Sequence, residues 1–210
     1  MQIILATNND DKIREIAHLL EDLPITILSR RDFLEFPDPE ESGATLEQNA
    51  IIKARAVAAF TGLPALADDS GLEVDALSGA PGVYSSRYAG PTATYQDNCR
   101  KLVASLEGVP EAKRTARFRC VIAIAWDDTA IDRVEGEVEG FITQDITGES
   151  GFGYDPVFFH PQSNKRFSQM TMSEKNGVSH RGLALAKIRD VIIARLNSSG
   201  DKTGFPPSRE

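Results

Sequence analysis

The sequence predicts a mixed α/β fold whose central sheet is bent or split into two lobes. Apolar runs typical of buried strands alternate with segments of helical periodicity over most of the 210 residues. The second half adds a long hairpin pattern, in which apolar and charged residues alternate, and a hairpin requires antiparallel pairing. A chain of this length, with 41% hydrophobic residues, can bury a core of its own.

The first elements are predicted to be a strand, a polar turn and a helix. Residues Gln2 to Ala6 are apolar, as in a buried strand, and helical periodicity follows the turn. Asn8 or Asn9 is the candidate N-cap, since an asparagine side chain accepts hydrogen bonds from the free N–H groups of a first turn. Asp10 and Asp11 then stand where the helix dipole favours negative charge.

The next segment predicts a second strand and helix. Residues Ile25 to Leu28 form the strand, and the prolines and glycine of Phe36 to Gly43 predict a loop. A capping box at Thr45 to Gln48 opens a helix that extends through Ala59. Gly62 ends this helix, because glycine readily adopts the left-handed conformation at a helix C-terminus.

Three more strands are predicted in the middle of the chain. The first begins at Ala65 and is expected to end at the polar residues Asp68 to Gly71. The other two form the hairpin, at Thr115 to Trp126 and at Ile131 to Ile142, with a turn at Asp127 to Thr129. Apolar residues occupy one side of the hairpin, so its other side is expected to be partly solvated.

The last third contains a glycine-rich connection, Gly148 to Asp155, and two helices. Thr171 to Glu174 forms a second capping box before a short helix, and apolar residues spaced from Leu185 to Leu196 predict a final amphipathic helix. Residues 197–210 have the composition of a flexible tail. We therefore expect a single two-lobed domain over residues 1–196.

Composition excludes several classes of function. The 31 acidic residues outnumber the 23 lysines and arginines, and a net charge of -8 argues against a protein that coats nucleic acid. No stretch approaches the roughly 18 apolar residues of a membrane span, and the N-terminal segment lacks the pattern of a signal peptide. Cys99 and Cys120 form no CxxC motif and are expected to be buried thiols. We expect a cytoplasmic protein with neither a nucleic-acid nor a membrane partner.

The turn from Thr7 to Lys12 is a candidate phosphate-binding loop. Backbone N–H groups at the start of a helix, together with a nearby lysine, attract anions. The segment lacks the GxxxxGK[ST] pattern of a P-loop, so an ordinary capped turn is the alternative.

Two acidic pairs are candidate ligands of Mg²⁺, which takes oxygen donors and few carboxylates. Glu40 and Glu41 lie in the proline-rich loop, and Asp68 and Asp69 follow the third strand. The aspartate pair carries more weight, because ligands of open α/β sheets bind at the carboxyl ends of strands. The sequence leaves open which glutamate contacts the metal and whether Asp68 also does.

Two further loops combine residues that suit a nucleotide. Residues Gly151 to Pro156 offer glycines for close approach, an aromatic ring for stacking and a carboxylate, although a packed turn has the same composition. Residues Ser173 to Gly182 place Lys175, His180 and Arg181 close together in an otherwise acidic protein. Such a concentration of cationic side chains favours an anionic ligand.

Five segments occur along residues 2–196 in this order: ATNNDDK, EESGATLEQNAIIKA, ALADDSGLEVDALSGAPGVYSSRYAG, GFGYDPVF and SEKNGVSHRG. Together they resemble the inosine/xanthosine triphosphate pyrophosphatase family. The resemblance implies Mg²⁺-dependent hydrolysis of ITP, dITP or XTP to the monophosphate and pyrophosphate. It also implies a homodimer, and an α/β fold with an elongated central sheet and a cleft between two lobes.

The family motifs also imply roles for residues of this chain by position. The residues that match metal ligands are Glu40 and Asp69, and Asp69 also matches the general base. The matches to substrate contacts are Thr7, Asn8, Asn9, Asp10, Asp11, Lys12, Ser70, Phe152, Gly153, Tyr154, Asp155, Lys175, His180 and Arg181. Asp10 and Asp11 carry the same sign of charge as the triphosphate, so their backbone N–H groups are the expected contacts.

Base selection can be argued from hydrogen-bond polarity. Hypoxanthine and xanthine present an O6 acceptor and an N1–H donor, whereas adenine reverses both, and buried groups left unpaired discriminate strongly. Our hypothesis is that Arg181 or His180 donates to O6. Asp155 or a backbone carbonyl would accept from N1–H, and Phe152 would stack on the base. The sequence does not identify the pocket around C2 that would exclude guanine.

Rival functions explain parts of the same pattern. A nucleotide sensor would bind a triphosphate without turnover. Maf-type proteins, of related fold, hydrolyse modified or pyrimidine triphosphates, and the SHRG and GFGYD segments argue against this alternative. Nucleophilic catalysis by Ser70, with His180 as its base, is disfavoured because no GxSxG elbow surrounds the serine.

Overall fold

The computed structural model describes residues 1–148 and 152–200, so part of the predicted glycine-rich connection, residues 149–151, lies outside the described residues. The predicted strands and helices occur in the predicted order, and the structure adds one helix, Tyr95–Ser105, and three short strands, Pro81–Gly82, Phe158–His160 and Lys165–Arg166, that were not predicted. The strands are β1 (Gln2–Leu5), β2 (Thr26–Leu28), β3 (Ala65–Val74), β4 (Pro81–Gly82), β5 (Thr115–Ala125), β6 (Ile131–Ile142), β7 (Phe158–His160) and β8 (Lys165–Arg166). The helices are α1 (Asp10–Leu19), α2 (Leu46–Thr61), α3 (Tyr95–Ser105), α4 (Met172–Val178) and α5 (His180–Gly200).

Within the described residues, the strands form one mixed sheet of eight strands. Its order is β2-β1-β3-β5-β6-β7-β8, and the short β4 pairs with the far half of β3. Strand β1 runs parallel to β2 and β3, whereas the pairs from β3 through β8 are antiparallel. The predicted α/β class with a mixed, elongated sheet is therefore confirmed.

Strand β3 is longer than the sequence predicts. It does not end at Asp68 but continues to Val74, because β5 pairs with it along its whole length. The neighbouring strand β1 ends at Leu5, opposite Leu66. Asp68 and Asp69 therefore lie inside a strand, just beyond the carboxyl end of β1, which is where the parallel part of the sheet stops.

Buried side chains on the two halves of the sheet form the two lobes. In the first lobe, α1 and α5 cover one face of the sheet around Ile122, and α2 covers the other face with residues such as Ala50. In the second lobe, α3 packs on the far half of the sheet through Leu102. Strand β5 passes through both lobes, since Phe118 belongs to the second core and Ile122 to the first.

Most predicted helix ends are observed. The side chain of Asn9 caps α1 by accepting hydrogen bonds from two N–H groups of its first turn, and Gly62 ends α2 with a φ of 68°. The capping box at Thr45 is only half formed. Thr45 accepts from the N–H of Gln48, but the Gln48 side chain accepts from the N–H of Ala44, one residue before the cap.

The last helix extends past the predicted end of the domain. Helix α5 continues through Gly200, so the first residues of the predicted tail are helical, and residues 201–210 lie outside the described part of the chain. Cys99 and Cys120 are free and buried, as expected. Among the helices that the structure describes, none combines the length and the apolar character needed to span a membrane.

Candidate active site

A cleft of about 330 Å³ lies between the two lobes. Its walls come from the loop after β1, the proline-rich loop before α2, the middle of β3 and two loops of the second half of the chain. Most of the predicted site residues line it, namely Thr7, Asn8, Asn9, Lys12, Asp69, Ser70, Phe152, Gly153, Tyr154, Asp155, Lys175, His180 and Arg181. The fold thus brings together segments that are distant in sequence.

Two predicted substrate contacts, Asp10 and Asp11, are not among the residues that line the cleft. Asp10 binds Arg31 at the surface, and Asp11 binds Arg14. The N–H of Asp11, which the sequence offered as a phosphate contact, donates in this structure to Oδ1 of Asn9 at 2.9 Å. The helix cap uses the donor that the sequence suggested for the ligand.

Glu41 and Asp69 converge inside the cleft. The Nζ atom of Lys53 lies 2.9 Å from Oε1 of Glu41 and 2.8 Å from Oδ1 of Asp69. Arg87 binds the other oxygen of Glu41 at 3.4 Å. Because these contacts hold Glu41 in the cleft, its neighbour Glu40 is left exposed to solvent. The structure therefore places Glu41 beside Asp69, where the family motif had placed Glu40.

Glu41 and Asp69 supply oxygen donors of the kind that Mg²⁺ takes, and a Mg²⁺ ion bound by both carboxylates would have to displace Lys53, which now lies between them. Two carboxylates near one point are the usual protein contribution to a Mg²⁺ site, since water and substrate phosphates complete the octahedron. In the part of the chain that the structure describes, no group of three or more His, Cys, Asp or Glu side chains is arranged to hold a metal ion. A metal at Glu41 and Asp69 would thus depend on the substrate for further ligands.

Asp69 is poised to accept a proton. Its burial raises the pKa of the carboxyl above the ordinary value, and the attraction of Lys53 and Lys12 offsets this only in part. Asn49 donates to Oδ2 of Asp69 at 3.4 Å and helps to fix its orientation. A raised pKa brings a carboxylate closer to the range of an effective general base.

Asp68 faces the other way along the strand and behaves differently. Burial alone would raise its pKa, but Lys12 and Arg181 hold the pKa of this carboxyl well below its usual range. Its Oδ2 lies 2.8 Å from Lys12, 3.1 Å from Ser70 and 3.4 Å from Arg181. Asp68 therefore stays ionised and holds the cations, whereas Asp69 remains available as a base.

A buried ionic network continues from Asp68 toward the second lobe. Arg181 binds Glu15 at 2.5 Å, and Lys175 binds Asp155 at 2.6 Å and Glu15 at 3.8 Å. Each of these side chains is at most 10% exposed. All three guanidinium nitrogens of Arg181 donate to protein groups. This arrangement weakens the hypothesis that Arg181 donates to the purine O6.

Phe152 to Asp155 form a tight turn over the same cations. Oδ2 of Asp155 accepts from the N–H of Phe152 at 2.9 Å, in addition to its contact with Lys175. The Phe152 ring lies 4.3 Å from Nζ of Lys175 and 5.0 Å from the guanidinium of Arg181. Gly153 has a φ of 63°, which only glycine adopts readily. Since Asp155 holds this turn and Lys175, its predicted contact with the purine N1–H loses support.

His180 presents a neutral, fixed imidazole to the cleft. Its ring stacks on Phe118 at a centroid distance of 4.6 Å and an angle of 10°. Burial and the nearby Arg181 and Lys175 hold its pKa well below the ordinary value. Strand β6 can approach the start of α5 because it carries Gly136, where a Cβ would lie 2.1 Å from the His180 carbonyl oxygen. His180 thus lines the cleft as an uncharged group, whereas Arg181 is held by buried carboxylates.

Comparison with known proteins identifies the family of this chain. The model of the Ham1 family matches residues 3–191. The chain belongs to the Ham1 family. A relative from Desulforamulus reducens, named dITP/XTP pyrophosphatase, is 51% identical over 192 residues, which are 91% of this chain and 96% of the relative.

Solved structures extend the likeness to three dimensions. A HAM1 protein from Coxiella burnetii, 44% identical, aligns over 92% of this chain and 99% of its own with a TM-score of 0.86. A protein from Mycobacterium abscessus, named nucleoside-triphosphatase / dITP/XTP pyrophosphatase, is 39% identical and covers 90% of this chain and 98% of its own, with a TM-score of 0.74. The predicted family is confirmed, and so is the prediction that this Ham1 family chain is an enzyme, a hydrolase of the pyrophosphatase type.

The residues of the Ham1 site that the sequence did not indicate include Lys53, Asn49 and Glu15. Asn49 and Lys53 stand one turn apart on α2, on a side of the helix that otherwise carries small apolar residues such as Ala50. Asn49 also accepts from the N–H of Gly43 at 2.8 Å and so ties the proline-rich loop to α2. Polar residues at helical spacing on an apolar face were the available signal, whereas nothing local marked Glu15.

We expect the stability of this Ham1 protein to fall between pH 7 and pH 5, in part because of His180. Below about pH 6.5 an unfolded histidine takes up a proton, but the folded chain keeps His180 neutral because its pKa is lowered. The unfolded state then binds more protons, so the free energy of unfolding falls by up to about 1.4 kcal/mol per pH unit.

Urea unfolding of the wild type and of His180→Asn at pH 7 and pH 5.5 measures this effect. The variant is expected to lose less stability on acidification than the wild type. The control His18→Asn changes a histidine that is 55% exposed and should keep the wild-type dependence. Parallel pH dependences of the wild type and His180→Asn would contradict the assignment.

Proposed function

We propose that this chain hydrolyses ITP, dITP and XTP, in the presence of Mg²⁺, to the nucleoside monophosphate and pyrophosphate, and so removes aberrant purine nucleotides from the cell. The observation that carries the proposal is the convergence of Glu41 and Asp69 in the cleft. The phosphate loop and the Phe152 loop line the same cleft. The name dITP/XTP pyrophosphatase, given to relatives that are 51% and 49% identical, supports the substrate class.

Charge balance supports a requirement for Mg²⁺. Each lysine of the cleft is already paired, Lys12 with Asp68, Lys53 with Glu41 and Asp69, and Lys175 with Asp155. Such a cleft offers little unbalanced positive charge to a strongly anionic triphosphate. Mg²⁺, when bound, would neutralise phosphate charge and lower the pKa of a coordinated water.

The side chains of the chain supply binding and proton transfer. Thr7, Asn8 and Lys12 line the end of the cleft that suits the phosphates. A water oxygen attacks the α-phosphorus, its proton passes to the carboxylate of Asp69, and the bond from the α-phosphorus to the bridging oxygen breaks. The negative charge that develops on the departing pyrophosphate is stabilised by Lys12 and Lys53.

A substrate panel with Mg²⁺ tests the proposed reaction. ITP, dITP, XTP, ATP, GTP, CTP and UTP are each incubated with the enzyme, and both products are quantified. We expect equal amounts of monophosphate and pyrophosphate from the first three nucleotides and slow turnover of the others. Binding without products would favour a sensor, a pyrimidine preference would favour a Maf-type activity, and release of orthophosphate would refute cleavage at the α-phosphorus.

The adjacent glutamates give a matched pair of variants for the metal site. Glu41→Gln is expected to weaken the apparent affinity for Mg²⁺ by at least about tenfold, because it removes one of the two converging carboxylates. Glu40→Gln removes the same charge from an exposed side chain and should behave as the wild type. Titration of ITP hydrolysis with Mg²⁺ measures both values. The reverse ranking would restore Glu40 as the ligand.

The homodimer and the cytoplasmic location are predictions from the sequence. We propose that the enzyme acts as a homodimer in the cytoplasm, where nucleotide pools are kept. Light scattering of the purified chain would give the mass of two chains if the first part is correct, and the mass of one chain would refute it.

A further inference from the structure

Tyr95 contacts two of the loops that line the cleft. It is the first residue of α3, lines the cleft and is 42% exposed. Its hydroxyl accepts a hydrogen bond from Nδ2 of Asn9 at 3.1 Å. Its ring lies 6.2 Å from the ring of Phe152, at an angle of 44°. One side chain thus contacts both the phosphate loop and the Phe152 loop.

The amide of Asn9 is oriented by the helix cap and held in place by Tyr95. Oδ1 of Asn9 accepts from the N–H groups of Asp11 and Lys12 at 2.9 and 3.3 Å, while Nδ2 donates to Tyr95. A reversed amide would present its NH₂ group to the N–H donors of the helix and lose the cap, so these donors select the orientation. The hydrogen bond to Tyr95 then ties the N-cap, and with it the phosphate loop, to α3.

The ring of Tyr95 packs against Phe152, and helix α3 holds Tyr95 in place. Aromatic pairs at this separation attract each other beyond the burial of their surface. The partner ring, Phe152, also lies over Lys175 and Arg181, so its position affects both cations. Tyr95 itself is held by α3, which packs into the second core through Cys99 and Leu102.

We propose that Tyr95 is a positioning residue, which holds the phosphate loop and the Phe152 loop at the separation that a nucleoside triphosphate requires. The inference rests on the proposed function, since it takes the phosphates to lie at Thr7 to Lys12 and the base near Phe152. The ribose then lies between the phosphate loop and Phe152, beside Tyr95. Because Tyr95 is bonded to neither Glu41 nor Asp69, its loss affects substrate affinity more than the chemical step.

Kinetics of ITP hydrolysis by Tyr95→Phe and Tyr95→Leu test this inference. Phenylalanine removes only the hydroxyl, and leucine removes the ring contact as well. We expect KM to rise about threefold to tenfold for Tyr95→Phe, as for the loss of one hydrogen bond, and further for Tyr95→Leu. The kcat of both variants should stay within about twofold of the wild type. Tyr84→Phe, which removes a hydroxyl from a 59% exposed phenol outside the cleft lining, should leave KM unchanged.

A double-mutant cycle with Asn9→Ser tests whether Tyr95 acts through Asn9. Serine keeps an oxygen for the helix cap but lacks the Nδ2 donor. In the Asn9→Ser background, Tyr95→Phe should raise KM by less than about twofold. The inference is overturned if the rise is equal in both backgrounds, if KM is unchanged in the wild-type background, or if kcat falls as much as KM rises.

The wild-type assay separates this inference from the proposed function. Wild-type enzyme that releases no pyrophosphate from ITP would refute the function and, with it, the role of Tyr95. Active wild-type enzyme with an unaltered KM in Tyr95→Phe would refute the role of Tyr95 alone. Melting temperatures within a few degrees of the wild type would establish that the variants are folded, as expected for a partly exposed side chain.

Discussion

Asp69→Asn is expected to lower kcat for ITP by at least about a hundredfold, the scale on which a lost general base acts. The change replaces one oxygen by an NH₂ group and leaves the size of the side chain unchanged. An amide cannot accept the proton of an attacking water at neutral pH, so the chemical step loses its base. At saturating Mg²⁺, KM for the nucleotide is expected to change little, because Glu41 still binds the metal and the predicted contacts of the phosphates and the base lie elsewhere in the cleft.

The asparagine variant should remain folded. Lys53 keeps its partner Glu41 at 2.9 Å, and an amide oxygen at position 69 can still accept from Lys53. The rest of β3 pairs with β5 through its backbone, which the substitution does not alter. A melting temperature close to that of the wild type would establish that the loss of kcat reflects chemistry.

The pH profile of kcat identifies the role of Asp69 independently. Activity should fall as the pH drops through the pKa of Asp69, because protonation removes the base. Burial raises this pKa in the metal-free cleft, whereas Mg²⁺ bound at Asp69 would lower it, so the acidic limb should move to lower pH as the Mg²⁺ concentration is raised. The limb should vanish from the residual activity of Asp69→Asn. A variant that retains more than about a tenth of the wild-type kcat, or an unchanged acidic limb, would remove Asp69 from this role.

The periodicity of the sequence was sufficient to predict most of the longer elements, because burial on one face decides them, although it missed helix α3. It failed at Asp68, where two acidic residues suggested the end of a strand. Such residues are stable inside β3 because Lys12 and Arg181, from distant segments, neutralise Asp68. Pairing of this kind depends on the tertiary fold, and no local pattern in the sequence records it.

The candidate site, like the fold, could be predicted only in part. The motifs indicated which segments form the cleft, since glycines, cations and acids cluster in them. The direction of individual side chains followed from contacts outside those segments. Lys53 on α2 and Arg87 decide that Glu41 occupies the cleft, and Glu15 on α1 decides that Arg181 is a buried anchor. Neither choice could be made from spacing within one motif.

Arg181→Ala is expected to destabilise the protein by about 3–5 kcal/mol, because removal of one partner leaves buried charges uncompensated. The Arg181 side chain is 3% exposed, and it binds Glu15 at 2.5 Å and Asp68 at 3.4 Å. These two carboxylates would stay in the interior without the arginine. The stability of the alanine variant must therefore be measured first. Its preference for ITP over ATP can be compared with that of the wild type only under conditions in which the variant is folded.

Arg189→Ala is the matched control for this prediction. Arg189 makes a comparable ion pair with Asp22 at 2.6 Å, but its side chain is 31% exposed and that of Asp22 is 63% exposed. An exposed pair contributes little to stability, since water screens the charges and solvates whichever remains. Urea unfolding at pH 7 compares the two variants with the wild type. If Arg181→Ala cost no more than Arg189→Ala, burial of the network would not govern its energy, and Arg181 would be free to contact the base after all.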